Sequence, residues 1–311
     1  MNVHIAAIEY ELPPTCLSLE QLAGLGRLSS PVEALRSFGF ERAWVVEDTA
    51  QGTALALAAA RRLIGAEIDP MSIDVVFYAG ASPASHATGE TLLGGFSYPA
   101  AKLQYDLGLA NARTIGISQS GCLGLMTAVS MGRAMLMADP SIGHVLCVSV
   151  DVLPPGSRRE ILFNVISDGA CALLLERGDG PNRIVSERQI SKGYYWDCEA
   201  RANEIVAAYF PTARTIIRDT LAAVGLAPDA LALIVPHNVS LRSWEILLQL
   251  TGLPRQRLFA DNIAAKAHVI SGDNFINLKD AESAGRLTRG DRLLLFNFGF
   301  GAAWACLVVE H

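Results

Sequence analysis

The chain has 311 residues, of which 51% are hydrophobic and 18% charged, and its formal net charge is −6. This length is sufficient for two domains or for one large domain with a well-buried core. The negative charge argues against a nucleic-acid partner, which requires a basic face. The six cysteines are scattered, without a Cys-x-x-Cys pair or a Cys/His spacing suited to zinc. We therefore expect a reduced cytoplasmic protein without a metal site.

The sequence also argues against a membrane protein. Its first ten residues lack the basic start and the long apolar core of a signal peptide. Nowhere does an uninterrupted apolar run reach the roughly 18 residues that a membrane-spanning helix needs. We expect no contact with a membrane.

Short β-like runs alternate with longer helical runs along the chain. The pattern predicts helices over 53–64, 123–138, 212–224 and 244–251. It predicts strands over 73–79, 145–150, 170–176 and 231–235, and a terminal hairpin formed by 292–296 and 303–309. This alternation indicates an α/β fold with a largely parallel, buried sheet. The sequence Gly-Asp-Gly-Pro-Asn at 178–182 interrupts the pattern, so we expect two halves, 1–180 and 181–311.

Cys122 is the strongest candidate for a covalent nucleophile. It lies in Thr-Ile-Gly-Ile-Ser-Gln-Ser-Gly-Cys-Leu-Gly-Leu, residues 114–125, where a β-like run meets small residues and then a helical pattern. A thiol at such a turn lies close to backbone N–H groups and to the positive end of a helix dipole, which together stabilise a thiolate. The small flanking residues allow a substrate to approach the backbone closely. Taken alone, the motif fits a buried structural thiol equally well.

Two histidines and a glycine-rich segment are further candidates. His237 directly follows a predicted strand and Pro236, at the edge where α/β folds place their sites. His268 lies in a loop before a helical pattern, and either histidine alone could be structural. Residues 298–304, Phe-Gly-Phe-Gly-Ala-Ala-Trp, suit a tight turn whose amides face a ligand. The phosphate-binding patterns GxGxxG and GxxxxGK[ST] are absent from the sequence.

In their order and spacing, these features resemble the condensing enzymes of the thiolase superfamily, specifically β-ketoacyl-acyl-carrier-protein synthase III in a divergent form typical of specialised metabolism. The matching segments are Phe38–Arg42, Gln119–Gly124, Ser167–Ala170, Val235–Arg242, Gly290–Arg292 and Phe298–Trp304. The resemblance implies a five-layered αβαβα thiolase-like fold of two similar halves. It also implies a homodimer, with the active site between the two halves of each chain.

The resemblance also implies roles for individual residues. Cys122 would accept an acyl group from acyl-coenzyme A or from a phosphopantetheine carrier protein, without a bound cofactor. His237 would hydrogen-bond the thiolate or the incoming substrate. The backbone amides of Cys122 and Phe300 would form the oxyanion hole. Arg242 would help to dock the pantetheine or the carrier protein.

Two positions depart from the family pattern and leave the reaction open. His268 stands where the family has an asparagine, and a Cys-His-His set is the pattern of elongating ketosynthases. The first hypothesis is therefore decarboxylative Claisen condensation with a malonyl-type thioester, in which His237 and His268 stabilise the enolate. Asp273 could instead orient His237 as a general base, so that the acyl group passes to an alcohol or amine acceptor without decarboxylation. A third alternative is a non-catalytic partner subunit of a heterodimeric synthase.

The segment between Cys122 and His237 is shorter than in the family. The deficit falls around 185–210, where family members line the pantetheine tunnel. Tyr194, Tyr195 and Trp196 occupy what remains. They could form a surface loop anchored by aromatic rings or line the pocket entrance, and the sequence favours the loop.

Overall fold

The computed structural model describes residues 2–48, 51–64, 68–81, 98–162 and 164–311. Its helices are α1 (Leu19–Gly24), α2 (Val32–Ser37), α3 (Gln51–Ile64), α4 (Pro99–Leu107), α5 (Gly124–Ala138), α6 (Ala202–Ala222), α7 (Leu241–Thr251), α8 (Asp261–Lys266) and α9 (Asp273–Ser283). Its strands are β1 (Val3–Glu11), β2 (Thr15–Ser18), β3 (Arg42–Val45), β4 (Ile73–Ala79), β5 (Arg113–Ile117), β6 (His144–Asp151), β7 (Glu160–Ile161), β8 (Asn164–Val165), β9 (Gly169–Arg177), β10 (Arg183–Ser191), β11 (Leu233–Val235), β12 (Arg292–Gly299) and β13 (Ala303–Glu310).

Within these residues, nine strands form one continuous sheet in the order β11-β12-β13-β10-β1-β9-β6-β4-β5. The strands β1, β9, β6, β4 and β5 form one section, and β11, β12, β13 and β10 form the other. The two sections meet at the single pair His4↔Arg183 between β1 and β10. The sheet therefore divides between strands that precede residue 181 and strands that follow it.

Apolar side chains on both faces of each section explain the layers. A cluster that includes Leu55, Leu103 and Leu146 packs α3 and α4 against the outer face of the first section. A second cluster that includes Ile216 and Leu247 packs α6 and α7 against the outer face of the other section. A third cluster, built around α5 and α9, fills the space between the two sections. Helices and sheet therefore alternate as αβαβα, which confirms the predicted fold class.

The predicted helices and strands are present, with boundaries that differ by a few residues. The largest difference between a predicted and an observed boundary is at α6, which begins at Ala202, ten residues before the predicted start at 212. Strand β10 was not predicted, because its sequence Arg-Ile-Val-Ser-Glu-Arg-Gln-Ile-Ser is largely polar. The division into 1–180 and 181–311 remains a prediction.

The expectation of a largely parallel sheet was wrong. Only β4–β5, β4–β6 and β11–β12 pair in parallel among the described strands of the large sheet. β9 runs antiparallel to both β1 and β6, and β13 runs antiparallel to both β10 and β12. Three residues join β12 to β13, and a connection this short requires an antiparallel pair.

The stretch Gly121–Ala138, which includes α5, is long and apolar enough to cross a membrane. Its apolar side chains have another explanation, because Leu125, Met126, Val129 and Leu136 are buried in the central cluster between the two sheet sections. Packing in the core therefore accounts for the composition of this helix.

A buried ion pair holds the segment before β9. Arg159 and Asp168 are both fully buried, and the guanidinium donates to both carboxylate oxygens over 2.5 and 2.8 Å. The carboxylate also accepts hydrogen bonds from the backbone amides of Val46 and Leu153. A buried carboxylate with this many donors is compensated for the loss of water.

We expect Arg159→Met to lower the free energy of unfolding by about 3–5 kcal/mol, because the Asp168 carboxylate would stay buried without its cation. Urea unfolding measures the change. Arg218→Met is the matched control, since the Arg218 side chain is 67% exposed beside Asp219. The control should change the free energy by at most about 1 kcal/mol. Equal midpoints for the two variants would contradict the stabilising role of the buried pair.

Candidate active site

Cys122 lies at a strand-to-helix turn, as the sequence predicted. Strand β5 ends at Ile117, a single 3₁₀ turn spans Gly121–Leu123, and α5 begins at Gly124. The thiol therefore lies just before the N-terminus of a 15-residue helix, where the helix dipole favours negative charge. Cys122 is partly exposed and lines a cavity.

The glycine-rich loop after β12 packs directly on this turn. A Cβ atom at Gly121 would lie 2.8 Å from the carbonyl oxygen of Phe300, and one at Gly299 would lie 2.9 Å from the backbone nitrogen of Cys122. Gly121 also has a φ of +53°, which favours glycine. Glycine at both positions allows the two backbones to touch. The loop that carries Phe300 therefore lies beside the turn Gly121–Leu123, which we call the nucleophile turn because it carries the candidate nucleophile Cys122.

His268 is the histidine that contacts Cys122. Its Nε2 lies 3.6 Å from the Cys122 Sγ, and its Nδ1 lies 2.5 Å from the Oδ2 of Asp273. The three side chains form a continuous chain of hydrogen bonds, Cys122–His268–Asp273. His268 is 6% exposed and Asp273 is fully buried. A nucleophile, a base and a carboxylate that orients the base form the arrangement that activates serine and cysteine nucleophiles.

Backbone pairing sets the position of His268. Its N–H donates to the carbonyl oxygen of Val165, and its carbonyl oxygen accepts from the N–H of Ser167, both over 2.9 Å. The buried ion pair between Arg159 and Asp168 flanks the segment 165–167 to which His268 pairs. The Ser167–Ala170 motif thus supports the site through its backbone.

The electrostatic surroundings of His268 raise its pKa. Burial alone would lower the pKa of this imidazole, but the Asp273 carboxylate and the neighbouring Cys122 sulfur outweigh burial and hold it well above its ordinary value. His268 therefore carries a proton at neutral pH, and this positive charge lies beside the sulfur.

His237 follows β11 and faces the same cavity, but it lies in different surroundings. It is 1% exposed, and its ring centroid lies 5.7 Å from that of His268. Neither of its ring nitrogens has a hydrogen-bond partner within the described part of the chain. Burial and the neighbouring His268 hold the pKa of His237 well below its ordinary value, so this ring is neutral. A neutral imidazole can donate one hydrogen bond and accept another.

The structure pairs Asp273 with His268, whereas the sequence suggested that it would orient His237. Asp273 is the first residue of α9, and its Oδ1 accepts from the N–H of Val269 over 2.6 Å. Its Oδ2 also accepts from the N–H of Asn238 over 2.6 Å. His268 and Asp273 are five residues apart in sequence, and the chain turns tightly between them just before α9. This turn brings the Asp273 carboxylate back to the loop that carries His268.

Three of these side chains could also ligate a metal ion. His237, His268 and Asp273 each offer one ligand atom, and these atoms lie within 4.8 Å of one another. A metal ion there would compete with the His268–Asp273 hydrogen bond, which already uses one atom of each residue.

The catalytic candidates open into a cavity of about 570 Å³. Its wall is mainly apolar and includes Phe38, Ile205, Tyr209, Phe210, Phe298 and Phe300. Ile205, Tyr209 and Phe210 belong to the first turns of α6. Because the sequence placed the start of this helix at 212, these wall residues were not predicted to be helical. A ligand that enters this cavity leaves water and meets the thiol in apolar surroundings.

Arg242 also lines this cavity, and its side chain is 68% exposed beside Glu245. Tyr194 and Trp196, by contrast, are 59% and 76% exposed and do not line the cavity. The surface-loop interpretation of the aromatic segment is therefore the correct one.

Sequence reasoning missed a set of buried amides around the site. Asn297 donates from Nδ2 to the backbone carbonyl oxygen of Cys122 over 3.1 Å and to the Oδ1 of Asn274 over 2.9 Å. Both asparagines are fully buried. The available signal was a polar residue within the apolar strand Leu-Leu-Leu-Phe-Asn-Phe. A buried amide in such a strand must find partners, which points to a structural or functional contact.

The architecture of the chain is that of a thiolase-like fold. The solved 3-oxoacyl-[acyl-carrier-protein] synthase III from Aquifex aeolicus aligns with a TM-score of 0.84 at 19% identity and covers 99% of this chain and 100% of that chain. The acyltransferase ChlB3 aligns with a TM-score of 0.83 at 20% identity, over 100% of this chain and 98% of that chain. Both similarities support the thiolase-like fold.

Sequence comparisons narrow this class. The family model "3-Oxoacyl-[acyl-carrier-protein (ACP)] synthase III C terminal" matches residues 221–311. The β-ketoacyl-[acyl-carrier-protein] synthase III of Coxiella burnetii is 26% identical over 291 residues, which is 87% of each chain. The chain is thus similar in sequence to β-ketoacyl-acyl-carrier-protein synthase III and has a thiolase-like fold, which confirms the resemblance found in the sequence motifs.

We expect Asp273→Asn to lower the pKa of His268, because the carboxylate is what outweighs burial at this ring. Nitrogen-15 NMR of the histidine rings measures the change: His268 should be protonated at neutral pH in the wild type and neutral in the variant. His237 is the internal control and should be neutral at that pH in both proteins. If His268 remained protonated in Asp273→Asn, the Asp273 carboxylate would not be the cause of its raised pKa.

Proposed function

We propose that the chain is an acyl-thioester-processing enzyme in which Cys122 carries the acyl group. The observation that carries this proposal is the hydrogen-bonded chain Cys122–His268–Asp273 at an apolar cavity. The donor would be acyl-coenzyme A or an acyl group on a phosphopantetheine carrier. The reaction needs no bound cofactor, because the thioester itself supplies an activated carbonyl.

Loading of the acyl group is a thiol exchange. Cys122 attacks the thioester carbonyl as a thiolate paired with the protonated His268, and the resulting oxyanion accepts hydrogen bonds from the backbone amides of Cys122 and Phe300. The carbon–sulfur bond to the pantetheine then breaks. The departing thiolate takes the proton held by His268, which leaves an acyl-Cys122 thioester and a neutral His268. Two fixed donors at an oxyanion typically accelerate such a step, by about 10²–10³-fold for each donor.

For the second step we propose decarboxylative condensation with a malonyl-type thioester. The carboxylate leaves as carbon dioxide, and the electron pair of the broken bond forms an enolate. That enolate attacks the acyl-Cys122 carbonyl, and the Cys122 thiolate leaves. The neutral His237 ring would donate one hydrogen bond to the enolate oxygen, and His268 would donate a second once its Nε2 has taken up a proton from solvent. The support is that the two rings lie edge to face with centroids 5.7 Å apart, and that both nitrogens of His237 lack a hydrogen-bond partner among the described residues.

A second candidate is acyl transfer to an alcohol or amine without decarboxylation. The specific support is the Asp273–His268 hydrogen bond, because a carboxylate-oriented histidine is suited to remove a proton from an oxygen or nitrogen nucleophile. After loading, the neutral His268 would take this proton as the acceptor attacks acyl-Cys122. The product would be an ester or an amide, and Cys122 would be regenerated.

The remaining expectations follow from these two candidates. Arg242 at the cavity would contact the phosphopantetheine or the acyl carrier protein. We expect a cytoplasmic homodimer that contacts neither nucleic acid nor a membrane. A non-catalytic partner subunit is the least supported alternative, because Cys122, His237 and His268 all face one cavity.

We expect mass spectrometry to detect one acyl adduct on Cys122 after incubation with an acyl-coenzyme A. Cys122→Ala should carry no adduct, since it lacks the nucleophilic sulfur. Cys198→Ala is the control, because this partly exposed thiol lies away from the cavity and its loss should leave the adduct unchanged. Absence of an adduct on the wild type, or its persistence in Cys122→Ala, would remove the basis of the proposal.

A labelled malonyl thioester separates condensation from acyl transfer. Under condensation, the acylated wild type releases labelled carbon dioxide and forms an equal amount of β-ketoacyl thioester. His237→Ala should then slow the release by about 10²–10³-fold, because one donor to the enolate oxygen is lost. Ester or amide formation without carbon dioxide release would instead establish the second candidate.

A further inference from the structure

Two buried asparagines connect the nucleophile turn to the elements that carry the histidines. Asn297 on β12 donates to the carbonyl oxygen of Cys122 and to the Oδ1 of Asn274. Asn274 on α9 donates to the carbonyl oxygens of Val235 and Phe296 over 2.9 and 3.0 Å. Because Val235 ends β11 just before His237, the two amides tie the backbone of Cys122 to the backbone that leads to His237.

Stability alone does not explain Asn297. Its Oδ1 is buried and has no hydrogen-bond partner among the described residues, which costs free energy. The preceding residues of β12, Leu293–Phe296, are fully buried and apolar. An apolar side chain at position 297 would remove the unpaired oxygen. A buried amide with an unpaired oxygen indicates that its nitrogen has a role. Here the Nδ2 donates to the carbonyl oxygen of Cys122 and to the Oδ1 of Asn274.

We propose that Asn297 is a positioning residue for the nucleophile. Its Nδ2 has two hydrogens, and each has a fixed acceptor, so the amide cannot rotate without losing a hydrogen bond. The Cys122 carbonyl is thereby fixed, and with it the direction in which the Sγ points toward the Nε2 of His268. The inference rests on the proposed function only in taking Cys122 as the nucleophile.

Asn274 completes the arrangement from the opposite side. It directly follows Asp273 on α9, and Asp273 holds the far nitrogen of His268. The first turn of α9 therefore fixes both sides of the sulfur–imidazole contact: through Asp273 it orients His268, and through Asn274 and Asn297 it orients Cys122. A shift of either amide changes the sulfur–nitrogen distance and leaves the cavity wall in place.

The test is the alkylation of Cys122 by iodoacetamide, followed across pH by mass spectrometry of the Cys122 peptide. We expect Asn297→Ala to react about tenfold more slowly than the wild type at neutral pH, as for the loss of one net hydrogen bond. In turnover, kcat should fall while KM stays near the wild-type value. Asn297→Ser, which retains a hydroxyl donor, should lie between the two.

Asn262→Ala is the matched control. Asn262 is a buried amide that donates to Asn277 and Asp280 and does not contact Cys122. We expect it to lower thermal stability and to leave the alkylation profile unchanged. Identical profiles for Asn297→Ala and the wild type, or equal effects of Asn297→Ala and Asn262→Ala, would overturn the proposal. Because alkylation needs no thioester, a changed profile would support the positioning role even if no acyl adduct formed.

Discussion

The buried carboxylate of Asp273 is the interaction on which the site depends. It is fully buried, and its two oxygens accept from the His268 ring and from the backbone N–H groups of Val269 and Asn238. A carboxylate without water must be surrounded by donors, and here every donor comes from a segment that carries a histidine. Its need for partners draws the two histidine loops onto the first turn of α9. The geometry of the site thus follows from satisfying one negative charge.

The parts of the site that the sequence predicted are those that depend on local chemistry. A small-residue turn between strand and helix identifies Cys122, and a histidine just after a buried strand identifies His237. The partner of Asp273 was not predictable in this way, because it depends on how tightly the chain turns between 268 and 273. Asn297 was missed for a similar reason: its acceptor, the Cys122 carbonyl, is 175 residues away in sequence. Long-range contacts of this kind arise from the packing of β12 on the nucleophile turn.

The two histidines show that surroundings alone can shift the pKa values of two identical side chains in opposite directions. Both rings are buried, and burial lowers the pKa of each. Only His268 has a carboxylate partner, so it keeps the proton, and its charge then further disfavours a second charge on His237. The pair therefore shares one positive charge, with one ring as a cation beside the sulfur and the other as a neutral donor and acceptor. An apolar cavity strengthens both effects, because water does not screen them.

Among the described residues, the sheet joins its two sections through the pair His4↔Arg183 between β1 and β10. Cys122 belongs to the section that contains β5, whereas His237, His268 and Asp273 belong to segments around β11 and α9. Neither section contains all four of these side chains. The candidate site therefore exists only where the two sections are docked. The shared apolar cluster around α5 and α9 holds the two sections together. A change that loosens the packing of this central layer would therefore also separate Cys122 from the histidines.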